Sequence, residues 1–301
     1  MAAAKRQPAS TGFALRDAYP WADLAGLART GEAAGYRALF MPEVGSRDTL
    51  AALTGLAGET DRLLLGTGVV PLPARSPSLL AAAAATAQER SAGRLLLGLG
   101  TGRSTPGSLD RLRRTIAALR AAFAGEVGTV DGAEVTIGLS LERPPEIWIA
   151  ALGPRAAHLA GEVADGVILN WCTPQRVALA VTQIVEGAAG TGRDPSRITI
   201  AVYVRAALVD GSEGPARAAA AEYASYPAYA RQFEAMGIDP SDVDAVLRGV
   251  VLTDAANGLE RLDAYRAAGA DLPVVYPVLP AGPPSPDAAR RTLDPFAPNL
   301  T

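Results

Sequence analysis

Residues 63–77 read LLLGTGVVPLPARSP. Three leucines in a row, followed by Val69 and Val70, suit a β-strand covered on both faces, as strands of parallel sheets are. Gly66 and Gly68 allow backbone geometry at the strand exit that other residues resist. Arg75-Ser76-Pro77 then reads as a helix start. One βα unit is therefore legible in fifteen residues, and its glycine-rich exit is a place where a ligand can lie against backbone.

The same unit recurs on both sides. Towards the N-terminus, Gly12 to Leu15 is expected as a strand and 21–34 as a helix. Tyr36 to Met41 then reads as a second strand ending in Pro42-Glu43, and Asp48 as the cap of a helix running to Thr60. Towards the C-terminus, 77–91 is an alanine-rich helix, 94–99 a strand with the exit Gly98-Leu-Gly-Thr-Gly-Arg103, and 109–123 a helix. Asp131-Gly132 between β-branched residues marks a hairpin over 127–138, a decoration on the main repeat. Strands follow at 147–150, 166–169, 198–207 and 272–277, with helices opening at Gly153-Pro154, Pro174 and Leu259. Eight alternating units in one chain favour an α/β fold, a single closed (β/α)8 TIM barrel, over an open doubly wound sheet. The expected organisation is a tail over 1–11, the barrel over 12–280 and a proline-rich tail over 281–301. An insertion at about 210–254 separates strands seven and eight. It carries Tyr223, Tyr226, Tyr229 and Phe233, which suit either a lid over a pocket or a helical cap packing its own aromatics.

Composition narrows the chemistry. With 301 residues, 49% of them hydrophobic, and a net charge of −3, the chain can bury a large core and has no block of like charge to recruit nucleic acid or an anionic membrane. The longest apolar run, 79–87, is far short of a membrane span, and the expectation is a soluble cytoplasmic protein. His158 is the single histidine, Cys172 the single cysteine and Lys5 the single lysine. Zinc sites of the Cys/His kind need ligand clusters, hydrolytic triads need a histidine beside a nucleophile, and Schiff-base chemistry needs an interior lysine. None of these is expected, nor any metal site; His158 reads as structural and Cys172 as a packed thiol.

A barrel places its chemistry at the C-terminal strand ends. The candidates there are Arg16 and Asp17, Glu43, Gly66 to Val70, Gly100 to Arg103, Ala150 to Pro154, Asn170 to Cys172, Tyr203 to Arg205, and Tyr276. Two exits, Gly100-Thr-Gly-Arg103 and Ala151-Leu-Gly-Pro-Arg155, pair a tight backbone with a helix start and an arginine, a combination that suits phosphate. Ordinary βα turns have the same look when taken singly.

Taken as an ordered set, three segments carry more. PEVGSRDTLAALTGLAGETDRLLLGTGVVPLPARSPSLLAAAAATAQERSAGRLLLGLGTGR (42–103), PEIWIAALGPRAAHLAGEVADGVILNW (145–171) and LERLDAYRAAGADLPVVYPVL (259–279) resemble the bacterial luciferase-like monooxygenase superfamily, in particular its branch that uses the deazaflavin coenzyme F420. The resemblance covers about 12–279. It implies a cofactor ring over the strand ends, backed by a non-proline cis peptide at Gly68-Val69, a bond worth roughly 3 kcal/mol of strain. It also implies a phosphate held by Gly100, Thr101, Gly102 and Arg103 together with Ala150, Ala151, Gly153 and Pro154. Glu43 becomes the expected proton source, able to protonate a substrate only if burial raises its pKa, with pairing to Arg47 or a turn cap as its alternative role. Asp17, Asn170, Trp171 and Arg205 become expected substrate contacts. The chain departs from similar proteins at Ser104 to Ser108, a short link where an aromatic-glycine loop is common.

The resemblance thus implies an F420-dependent oxidoreductase acting on a small organic substrate, a homodimer as is common in the family. Two alternatives stand beside it: an FMN-dependent monooxygenase fed with reduced flavin by a partner reductase, and a non-catalytic barrel.

Overall fold

The computed structural model describes residues 10–16, 18–102 and 105–299. Most of the expected N-terminal tail lies outside them. The chain begins β1 (Gly12–Ala14), α1 (Trp21–Ala33), β2 (Ala38–Met41), α2 (Thr49–Leu56), β3 (Leu64–Thr67), β4 (Val70–Pro71), α3 (Pro77–Arg90), β5 (Leu95–Gly100) and α4 (Ser108–Phe123). The hairpin β6 (Gly128–Val130) and β7 (Ala133–Val135) follows, then β8 (Glu146–Ala150), α5 (Pro154–Val163), β9 (Gly166–Asn170), α6 (Pro174–Gly190) and β10 (Thr199–Ala206). The insertion holds α7 (Glu213–Ser225), α8 (Pro227–Ala235), α9 (Val243–Val250) and β11 (Val251–Leu252). The chain ends with α10 (Ala255–Ala267), β12 (Leu272–Pro277) and α11 (Pro286–Leu293). Among the described residues no helix is long and apolar enough to cross a membrane.

Parallel pairing runs β1–β2–β3–β5–β8–β9–β10–β12 and returns to β1, so the sheet closes into the expected eight-stranded barrel. The registers that close it are Gly12 opposite Val274 and Ala201 opposite Ile168. Successive strand residues point alternately inward and outward. Outward-facing Phe13, Leu39, Leu65, Leu97, Ile149, Val167, Val202 and Val275 join the core shared with the helices. Inward-facing Ala14, Phe40, Leu96, Trp148, Ile168, Tyr203 and Val274 fill the lumen. Large and small inward residues face one another: a Cβ at Gly66 would collide with the Phe40 ring, and one at Gly166 with the Trp148 indole. This is why glycines sit inside strands that would otherwise prefer β-branched residues.

Local signals account for most element ends. The side chains of Asp48, Ser76, Thr173 and Ser285 cap α2, α3, α6 and α11 by accepting from backbone N–H groups. Asp131 and Gly132 both have positive φ, 52° and 79°, the geometry a two-residue hairpin turn requires, and β6 pairs antiparallel with β7 as expected.

Two expectations are corrected. No peptide bond among the described residues is cis, so Gly68-Val69 is trans. The strand bulges there by another route. Leu65 is opposite Leu95, whereas Val70 is opposite Leu99, so the 65–70 stretch carries one residue more than its neighbour. One extra residue bends a strand outward without peptide isomerisation. The second correction concerns 281–301, which is no simple tail. Its prolines punctuate instead: Pro286 starts α11, capped by Ser285, and Ala289, Leu293 and Phe296 are buried. Tyr36 Oη donates to the Leu293 carbonyl at 2.7 Å, and the Asn299 amide to Ala34 O at 3.0 Å, fixing this segment against α1.

Candidate active site at the barrel mouth

The bulge places Gly68 and Val69 half-exposed at the C-terminal rim. The Gly68 amide donates to Met41 O at 2.6 Å, and a Cβ on Gly68 would collide with Tyr203 Oη from across the lumen. Val69 packs over Gly98 and Gly100, where a methyl would meet its side chain at 3.1 and 2.8 Å. Together they form a small apolar shelf whose position is set by glycine on two strands.

Beside the shelf, Glu43 follows β2. Its carboxylate accepts from Arg75 Nε at 2.9 Å and from Arg75 Nη2 at 2.8 Å, a bidentate fork with both side chains about nine-tenths buried. Arg75 also pairs with Asp48 at 2.8 Å, which holds the Asp48 carboxyl below its ordinary value. The partner of Glu43 is therefore Arg75, not Arg47, whose guanidinium donates to Tyr19 O. Arg75, which reads in the sequence as part of a helix start, joins the end of β2 to the segment leading into α3. Both Glu43 oxygens accept hydrogen bonds in this fork.

On the next strands, β5 leaves through Gly100, Thr101 and Gly102; Arg103 lies outside the described residues. Thr101 and Gly102 line a cavity of about 800 Å³ together with Pro71, Ser108, Arg111 and Arg114. Helix α4 starts at its edge without a side-chain cap, because Gly107 has none to offer. Helix α5 also starts uncapped at Gly153, with Pro154 in its first turn, while Ala150 and Ala151 continue β8 and Ala151 N donates to Ile168 O. Uncapped first turns keep N–H donors and a positive dipole end available to an anion. A second cavity, about 550 Å³, lies between the end of α4 and 137–145, away from the strand exits.

Across the mouth, Asn170, Arg205 and Tyr276 end three adjacent strands on the lumen side. Arg205 Nη1 donates to Asn170 Oδ1 at 2.6 Å, and Asn170 Nδ2 donates to Tyr229 Oη at 3.1 Å. The Arg205 guanidinium lies 4.0 Å from the centroid of the Trp171 ring, 5.0 Å from Tyr223 and 5.1 Å from Tyr276. Trp171 has φ 53°, unusual for a bulky residue, and Gln232 Nε2 from α8 holds the Asn170 and Trp171 carbonyls at 2.9 and 2.8 Å. The insertion thus does two things at once: Phe233, Val246 and Val250 make a cap core with Trp171, while Tyr223 and Tyr229 reach the strand ends. Asp17, the remaining expected contact, is outside the described residues.

Reasoning from sequence missed Arg75 as the Glu43 partner and Gln232 as the brace under Trp171. The density of tyrosine in 223–229 was the available signal for the aromatic wall; Gln232 had none. His158 is exposed on α5 and lies 3.8 Å from Glu162, remote from the mouth. Cys172 is buried, donates to Asn170 O, and burial pushes its thiol up to about 12, which leaves it unreactive.

Comparison with known proteins agrees with this architecture. The family model described as luciferase-like monooxygenase matches residues 4–248. A 5,10-methylenetetrahydromethanopterin reductase of Methanolobus tindarius is 36% identical over 171 residues, 52% of each chain. An F420-dependent glucose-6-phosphate dehydrogenase of Beutenbergia cavernae is 33% identical over 176 residues, 51% of this chain and 52% of that one. The chain thus spans about half the length of these curated relatives. The oxygenating constituent of 3,6-diketocamphane monooxygenase from Pseudomonas putida, solved in complex with FMN, superposes with a TM-score of 0.73 over 97% of both chains at 15% identity, a likeness of fold. With a closed barrel, a bulged third strand and a family match over most of its length, the chain belongs to the luciferase-like monooxygenase family.

Proposed function

We propose that this protein is an F420-dependent oxidoreductase that moves a hydride between the deazaflavin and a small organic substrate. The observation that carries the reading is the division of the mouth. A half-exposed apolar shelf at Gly68-Val69 lies between a cavity lined by the uncapped start of α4 and a polar, aromatic wall around Arg205, and α5 starts uncapped at the end of the next strand, β8. The shelf suits the flat face of a ring. Gly100, Thr101 and Gly102, with Arg103, Ala150, Ala151, Gly153 and Pro154, suit its phosphate, since backbone N–H groups and arginines are the donors an anion needs. The choice of F420 follows the similarity to an F420-dependent dehydrogenase.

When bound, the deazaflavin supplies two-electron hydride transfer. The chain's own residues orient the substrate and handle its proton. Glu43 is the proposed proton group, held in place at the end of β2 by the Arg75 fork. Asn170, Trp171 and Arg205, with Asp17, are the proposed substrate contacts. The FMN monooxygenase is the second reading, favoured by the FMN-holding neighbour of the same fold.

Titrating purified protein with F420 and, separately, FMN, and following intrinsic fluorescence, tests the proposal. Quenching by F420 at concentrations at least ten times lower than FMN is expected. Tight FMN binding without any response to F420 would replace the first reading by the second. With a turnover assay in hand, Glu43→Gln should lower kcat by about 10²-fold or more, the range of a lost acid–base group. Unchanged turnover would remove Glu43 from the mechanism.

A further inference from the structure

We infer that the substrate of this site carries a carboxylate, received by the free edge of Arg205; the inference rests on the barrel mouth being the active site proposed above. Arg205 is 6% exposed and carries five N–H groups, of which one reaches an acceptor. Among the described residues no carboxylate pairs with it, and Nε and Nη2 have no hydrogen-bond partner. Arg176, equally buried, likewise makes one side-chain hydrogen bond, to Leu152 O at 3.1 Å, but Arg94 and Arg193 are treated differently. Half-buried Arg94 makes five hydrogen bonds, to Ser91, Thr60, Leu63 and Ala57, and Arg193 donates to Gly161 O and Ala164 O. An enclosed guanidinium with most of its donors unused by the protein leaves an edge that an anion can fill.

The edge left over has a known complement in the same molecule. Arg75 uses Nε and Nη2 to grip both oxygens of Glu43 at 2.9 and 2.8 Å. In Arg205 the same two groups are unfilled, while Asn170 occupies Nη1 and the rings of Trp171, Tyr223 and Tyr276 fix the guanidinium from its sides. Aromatic contact holds the cation without neutralising it. The position speaks against the cofactor's phosphate as the occupant. Arg205 lies on β10, three strands round the barrel from the Thr101-Gly102 turn, with β8 and β9 between them. A planar anion arriving from the shelf meets a preset fork there, with half-exposed Asn170 and Tyr276 on either side.

The probes are benzoate and its neutral analogue benzamide, titrated by calorimetry into the protein alone and into the protein saturated with F420. Benzoate should bind at least tenfold more tightly than benzamide in one or both. Arg205→Gln should weaken benzoate tenfold or more while F420 affinity stays within twofold. Because losing a buried arginine risks misfolding, Asn170→Asp is the second variant. It is nearly isosteric and offers Arg205 an internal carboxylate, so benzoate affinity should again fall tenfold or more in a protein with unaltered thermal unfolding. Equal binding of benzoate and benzamide in both forms, or wild-type benzoate affinity in Asn170→Asp, would overturn the inference. F420 titrations on the same preparations separate the two proposals: a benzoate preference without F420 binding removes the cofactor reading alone, and F420 binding without a benzoate preference removes the carboxylate alone.

Discussion

Gly68 shows how much one residue decides at this mouth. It has no room for a methyl group because Tyr203 comes from the opposite wall of the lumen to touch it, and the Met41 carbonyl carbon stands 3.4 Å behind. Gly68→Ala should destabilise the protein by about 1–3 kcal/mol in urea unfolding, the range for overpacking a tight site. Adding Tyr203→Phe removes the colliding hydroxyl and should return part of that loss. A double variant no more stable than Gly68→Ala alone would place the strain elsewhere. Glu32 acts at the other end of the same strand. Burial pushes its carboxyl up, but N–H groups of Arg62, Asp61 and Leu63 donate to it and outweigh burial, so it titrates below its ordinary 4.5. A depressed carboxyl contributes stability that is present above the unfolded value and disappears as pH falls through the folded one. Glu32→Gln should therefore cost about 1–2 kcal/mol at pH 7, with the gap from wild type closing in unfolding experiments carried below pH 4.

Elements in this barrel are held as much by their ends as by their faces. The third strand is two pieces, β3 and β4, because one extra residue is inserted against β5; both pieces pair with the same neighbour, so the sheet stays closed while its rim bends. Helix α11 completes the outer ring by packing on α1 and β12, and the 294–296 turn beyond it packs on α10. Phe296, just beyond it, is 3% exposed and lies over Gly258, where a Cβ would stand 2.7 Å from its ring. Phe296→Ala should lower stability by about 3–5 kcal/mol, as for other buried phenylalanines, with a reduced denaturation midpoint and an unchanged slope. A change below 1 kcal/mol would mean that the C-terminal segment is dispensable to the barrel.

At the scale of the molecule, the legible part is the part written in local patterns. Alternating apolar runs and caps announced the βα repeat, Asp131-Gly132 announced the hairpin, and Asp48 and Ser76 announced their helices, because each depends on neighbours within about five residues. The strand-end positions of Glu43, Asn170 and Arg205 followed from counting units around a barrel. Proline content misled the reading of 281–301, since composition was weighed above the Ser285-Pro286 start and the apolar face behind it. The cis peptide was an expectation carried by resemblance, and the trans bulge replaces it.

What the sequence alone determined is the repeat, its number and the rim to which chemistry is confined, because these rest on short-range propensity and on a topology with few alternatives. Tertiary structure alone decided the partnerships. Glu43 meets Arg75 from thirty-two residues away, Tyr203 reaches Gly68 across 135, and Gln232 braces Trp171 across 61. No local pattern encodes such pairs, for they form only when the closed sheet brings distant strand ends within hydrogen-bonding distance.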